Sequence, residues 1–183
     1  MKKWIKWLLI TIGVILIGII AYFIYKDAIR EEAVLTFPDT VIVQNATEYQ
    51  IDIITKAVAH HVLGYDTINV ALVMMPKQME EVGDIDIKAY LQKNIFQEHA
   101  YLIFLSSTLR PSEYKMVISH EFAHVAQMEN GDLIQMELGV AAVVYKGDTI
   151  NFYDVPYKQR QHEKDANKHE DQIYRNLDKV LYK

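Results

Sequence analysis

The sequence predicts an α+β domain, a small mixed sheet accompanied by three helices, behind a single transmembrane helix. Three observations carry that expectation. Two apolar runs, residues 68–75 and 100–105, have the length and composition of strands. Three stretches, 45–63, 112–129 and 158–181, repeat apolar residues at helical spacing with no internal proline. Residues 7–25 are nineteen positions without a charge. As a helix they would span about 28 Å, close to the thickness of a bilayer's hydrocarbon.

The elements follow in order. Trp4 and Trp7 at one end of the apolar span, with Tyr22, Phe23 and Tyr25 at the other, suit the two membrane interfaces. The span is longer than the apolar core of a signal peptide and shows no A-x-A-like cleavage site near Ala21, so it reads as an uncleaved anchor. Lys2, Lys3 and Lys6 outnumber Lys26 and Arg30, which keeps the amino terminus cytoplasmic and places the remainder outside the cell membrane. Residues 1–30 are thus the anchor and 31–183 the soluble domain. In that domain 40–44 suits a first strand. A helix then starts at Asn45, where Glu48 completes a capping-box variant, buries Ile51, Ile54, Val58 and Val62, and stops at Gly64. His60 and His61 at its end read as cations near a helix C-terminus.

The run 68–75, closed by Pro76, reads as a strand buried on both faces. Residues 84–94 suggest a short helix with Ile87, Tyr90 and Leu91 inward. The run 100–105 is a second buried strand, directly ahead of the helix 112–129, which opens after Pro111 and stops at Asn130-Gly131. Residues 132–138 suggest another short helix. Residues 140–145 and 149–155 form a hairpin turning at Gly147. The last helix, 158–181, buries Ala166, Ile173, Leu177, Val180 and Leu181.

Composition narrows the function. There is no cysteine, which excludes disulfides, thiolate metal sites and a cysteine nucleophile. Residues 1–30 hold five basic residues and one acidic, so the other 153 hold 14 basic and 23 acidic, a net charge of −9. Such a surface is not built to neutralise phosphates, and nucleic acid is not an expected partner.

The helix 112–129 contains His120-Glu121-Phe122-Ala123-His124, an H-E-x-x-H motif. Histidines four apart share one helix face and can hold a zinc ion together, with the glutamate beside them as general base. Ile118, Phe122, Val125 and Ala126 form a separate core stripe, so Val117, His120, His124 and Gln127 face a cleft. Zinc needs a third ligand. The metzincin pattern would continue with glycine and histidine where this chain has Gln127 and Asn130, so that pattern fails. Glu163, thirty-nine residues beyond His124, opens the last helix with Ala166 and Asn167 on one face. It is favoured over Glu137, thirteen residues beyond His124, and over His162, Asp165 and His169 on its own helix.

The run His120-Glu121-Phe122-Ala123-His124-Val125-Ala126-Gln127, a tyrosine-bearing hairpin, then Pro156-Tyr157 and Arg160-Gln161-His162-Glu163-Lys164-Asp165-Ala166 resemble the small gluzincin metallopeptidases called minigluzincins. The resemblance covers residues 40–183. It implies a zincin-like fold with a backing helix, a motif helix and a ligand-bearing last helix. It implies zinc held by His120, His124 and Glu163, zinc metalloendopeptidase activity, and a peptide or protein substrate annealed to a sheet edge, for which 100–106 is the candidate. Larger gluzincins carry an aspartate four residues after the ligand glutamate, to support a ligand histidine. Here Asn167 stands there, able to accept the same hydrogen bond without the charge. In that chemistry zinc acidifies a water, and Glu121 takes its proton and passes it to the leaving amine. Tyr153 and Tyr157 are candidate donors to the developing oxyanion. The alternative from a different class is a non-catalytic tethered binding module that keeps the same shell.

Overall fold

The computed structural model describes residue 19 and residues 34–46, 48–75, 81–82, 85–136 and 141–182, with only the backbone of 81–82 and 85–86. Residues 35–181 pack as one compact unit. Among the described residues no helix is long and apolar enough to cross a membrane. The predicted anchor, residues 7–25, lies outside the described residues except for Ile19.

The domain is α+β. Four strands, β1 (Val41–Gln44), β2 (Ile68–Met74), β5 (Ala89–Lys93) and β6 (Ala100–Leu105), form a mixed sheet in the order β1-β2-β6-β5. The first three lie parallel, and β5 runs antiparallel to β6 as the outer strand. A two-stranded ribbon, β3 (Glu81–Val82) with β4 (Ile85–Asp86), precedes β5. A three-stranded antiparallel sheet of β7 (Leu133–Gln135), β8 (Ala142–Tyr145) and β9 (Asp148–Asn151) follows the motif helix. Lys146 and Gly147, both with positive φ, make the two-residue turn of its β8–β9 hairpin, where glycine suits φ +91°.

Three helices complete the unit. α1 (Tyr49–Lys56) continues as a π-helical segment, Ala57–Val62. α2 (Tyr114–Glu129) carries the motif and is entered through a 3-10 turn, Pro111–Glu113. Its end closes with Gly131 at φ +75°, whose N–H reaches Met128 O while Asp132 N–H reaches Gln127 O at 2.9 Å. Only a residue tolerant of the left-handed region allows that double bond. α3 (Gln161–Leu181) packs along α2 and the π-helical segment.

One face of the main sheet is packed. Val41, Ile68, Val70, Leu72, Leu91, Tyr101, Ile103 and Leu105 share it and are buried, together with Val58, Ile118, Phe122 and Leu177. The opposite face, with Ile42 and Tyr90, remains 42–43% exposed at those positions. β2 is therefore covered on one face rather than on both, which its even-numbered burial shows.

Four further expectations are corrected. Residues 84–94 do not form a helix, because Ala89–Lys93 pairs with β6 and tertiary pairing outweighs the helical spacing of Ile87, Tyr90 and Leu91. Leu133–Gln135 is likewise a strand, paired to β8. The segment 100–106 is not a sheet edge, since β6 sits between β2 and β5. The edge is β5. The capping box expected at Asn45 does not form either. Asn45 takes a positive φ and α1 starts after Glu48 with no side-chain cap.

Leu177 is wholly buried in the core from α3. Leu177→Ala is expected to lower unfolding free energy by about 2–5 kcal/mol, read by denaturant titration.

Candidate metal centre

The centre is built where α2 and α3 meet. Phe122, Ala123 and Val125 are fully buried and fix the rotation of α2, leaving His120 and His124 on the side that meets α3. Ala166 is fully buried on α3, one turn after Glu163, and its small side chain allows a close approach. Arg160 fastens the start of α3. Its guanidinium donates to Val155 O and Phe152 O at 3.1 Å and lies over the Phe152 and Tyr157 rings.

His120 Nε2 and His124 Nε2 lie 3.4 and 3.3 Å from one atom, Glu163 Oε2. One ligand atom from each of the three residues falls within 4.8 Å of the others. Glu163 Oε2 is buried and has no hydrogen-bond partner, so three electron-pair donors converge without satisfying one another. This group can hold a metal ion. Glu137, the rival ligand, lies outside the described residues.

The remaining atoms of these side chains are held. His120 Nδ1 is 3.0 Å from Glu170 Oε2, and His124 Nδ1 is 2.9 Å from Gln127 Oε1. Each partner accepts the Nδ1 proton, which turns the Nε2 lone pair toward Glu163. Gln127 in turn donates to His162 O at 2.9 Å, tying α2 to the first turn of α3. His162 Nε2 lies 3.3 Å from Glu163 Oε1, the carboxylate oxygen turned away from the two motif histidines. Its ring is buried against Phe152, Tyr145 and His124.

Two of these supports were not read from the sequence. Gln127 was placed on the histidine face and seen to break the metzincin pattern but was given no supporting role, although i+3 from His124 is within reach on a helix. Glu170 lies seven residues after Glu163, two turns along the same face. That spacing was the available signal. Asn167 is exposed and takes no part in the centre, so the supporting carboxylate comes from one turn further along α3.

Other predicted residues are placed as follows. Glu121 is 5% exposed beside the cluster. Burial pushes its carboxyl above the usual carboxylate range, with His124 and His120 pulling the other way. The Tyr157 hydroxyl is pushed above the usual tyrosine range by burial first, then by the charges of Glu163 and Glu121, while the residue remains 36% exposed. Tyr157 is thus within electrostatic reach of Glu163 and Glu121. Tyr153 is 88% exposed, its N–H accepted by Asn151 Oδ1. Asp165 accepts from Tyr145 OH at 2.7 Å and pairs with Lys146 and Lys168, away from the cluster, and His169 is exposed.

Without metal the centre carries its charge as protons. Burial opposes a cation on His120, but the Glu163 and Glu170 carboxylates outweigh it and raise the imidazole to about 10. Burial likewise opposes the charge on Glu163, yet His120, His124 and His162 hold it well below the carboxylate range. A raised folded-state value means the His120 contribution is complete below the unfolded value near 6.5 and is lost as pH climbs through about 10. The melting temperature of chelator-treated protein is thus expected to fall between pH 6.5 and 10, and His120→Gln to flatten that decline.

Glu170→Gln removes the charge that supports His120. Metal affinity is expected to drop about 10–100-fold, measured by competition with a chromophoric chelator.

Compared with protein-family models, with curated proteins and with solved structures, the chain shows no match to any.

Proposed function

We propose that this chain is a membrane-anchored, zinc-dependent metallopeptidase of gluzincin type. The observation that carries the reading is the convergence of His120, His124 and Glu163 on one point, with an unpartnered carboxylate oxygen and Glu121 alongside. Ligands about 2.0–2.1 Å from a tetrahedral zinc stand about 3.4 Å apart. Separations of 3.4 and 3.3 Å from Glu163 Oε2 fit that edge. The absence of cysteine leaves nitrogen and oxygen donors, a set found in hydrolytic zinc sites.

Zinc held there supplies a Lewis acid that polarises a carbonyl and acidifies water. The chain's own groups supply the rest. Glu121 takes a proton from the attacking water as the new C–O bond forms and delivers it to the amide nitrogen as the C–N bond breaks. Its elevated proton affinity, caused by burial, suits a carboxylate that must hold that proton between the two steps. Tyr157, kept protonated beside Glu163, donates a hydrogen bond to the oxygen that gains negative charge. Edge strand β5 offers backbone groups to an extended peptide. Supporting this, β5 packs against α2, with Lys93 3.9 Å from Glu129 at the end of that helix.

The test is hydrolysis of a mixed peptide pool by the purified full-length protein. Cleavage should stop with chelator and return with zinc. A protein that keeps zinc but cleaves nothing is the tethered binding module instead.

A further inference from the structure

This inference rests on the peptidase reading and concerns how much of a peptide the edge strand accepts. Hydrogen bonds alternate along β5. Lys88 O and Asn94 N–H turn inward to β6, at Ser106 N–H and Ala100 O. By the same two-residue alternation, residues 89, 91 and 93 turn their N–H and C=O groups toward the free edge. Two of those groups are already taken. Gln135, half-buried on β7, donates from Nε2 to Leu91 O at 2.7 Å and accepts from Lys93 N–H at 2.8 Å through Oε1. One side-chain amide thus makes the pair of bonds that one residue of a neighbouring strand would make, forty-four and forty-two residues away in sequence.

The plug is off-centre. β5 runs alongside α2, with Lys88 O bonded to Ser106 N–H on the stretch that leads through Pro111 into the helix, and Lys93 3.9 Å from Glu129 at the helix end. Gln135 therefore covers the edge on the side beyond Glu121, while Ala89 and the Leu91 N–H stay on the stretch level with it. A peptide annealing antiparallel to β5 enters the covered side with its amino-terminal residues.

We propose that Gln135 is a specificity-determining stop, whose carboxamide occupies the pairing groups of Leu91 and Lys93 and restricts the enzyme to peptides cleaved near their amino end. Residues further toward the amino end find no backbone partner. Residues on the carboxyl side pair toward Ala89.

The test uses the full-length chain with zinc in detergent and a set of phosphinic peptides. The phosphinate replaces the scissile amide, resists hydrolysis and fixes the register. The set is lengthened one residue at a time on either side. With wild-type protein, Kd is expected to stop improving on the amino side once the peptide reaches Leu91. In Gln135→Ala each further hydrogen-bonded amino-side residue should gain about three- to tenfold, and Gln135→Glu, whose carboxylate still accepts from Lys93 N–H but cannot donate to Leu91 O, should show a smaller gain. Carboxyl-side lengthening should behave alike in all three. Hydrogen exchange of the Lys93 amide in the peptide-free protein should speed up about tenfold or more in Gln135→Ala, which checks the cap independently of binding. Identical length profiles in wild type and both variants, an unchanged Lys93 exchange rate, or a carboxyl-side gain in the variants each overturns the proposal. If no phosphinic peptide binds any of the proteins, the peptidase reading falls and this one with it, whereas binding with identical profiles removes the stop alone.

Discussion

Glu121→Gln is expected to lower kcat by about 10²–10⁴-fold while leaving one metal ion bound per chain. The amide keeps the shape of the carboxylate but cannot accept the proton of the attacking water, and it leaves His120, His124 and Glu163 in place to hold the metal. The side chain is nearly enclosed, with 5% of its surface exposed, so bulk water cannot substitute for it as base. KM should change far less than kcat, because the group acts on the transition state and not on the bound peptide. Activity and metal content measured on the same sample check this. Loss of both together would mean that Glu121 shapes the metal centre instead of serving the proton transfer.

Glu163→Ala is expected to abolish metal retention and, with it, all hydrolysis. Glu163 Oε2 is the one atom that both motif histidines approach, and without it two imidazoles remain where a catalytic zinc site uses three protein ligands. The loss of affinity should exceed the 10–100-fold drop expected for Glu170→Gln, which only supports a ligand. The same substitution takes away the carboxylate that faces three histidines, so the metal-free variant should also show a weaker stability decline between pH 6.5 and 10, with Glu170 alone still favouring the His120 cation. Chelator competition and thermal unfolding on one variant measure both effects.

The chain gave up its local features readily. H-E-x-x-H, the Gly131 stop and the Gly147 turn are short-range signals, and α2 and the β8–β9 hairpin lie where those signals put them. What sequence reading missed depended on partners distant along the chain. Ile87, Tyr90 and Leu91 have helical spacing, yet Ala89–Lys93 is extended because β6 supplies its hydrogen bonds. Apolar runs do not distinguish an inner strand from an outer one, so the edge was assigned to residues 100–106 when β5 lies outside β6. In the centre, the three residues that could hold a metal were legible from H-E-x-x-H and the late helix, while the supports Glu170 and Gln127 were not, because a supporting role shows most clearly once the ring nitrogens have been placed.

The most direct measurement is zinc-edge X-ray absorption on the purified full-length protein, together with its metal stoichiometry. One zinc per chain is expected, with two imidazole nitrogens at about 2.0–2.1 Å, a carboxylate oxygen at about 2.0 Å and one further light-atom ligand. A protein that purifies and dialyses without metal, or a zinc whose shell contains only one imidazole, would contradict it.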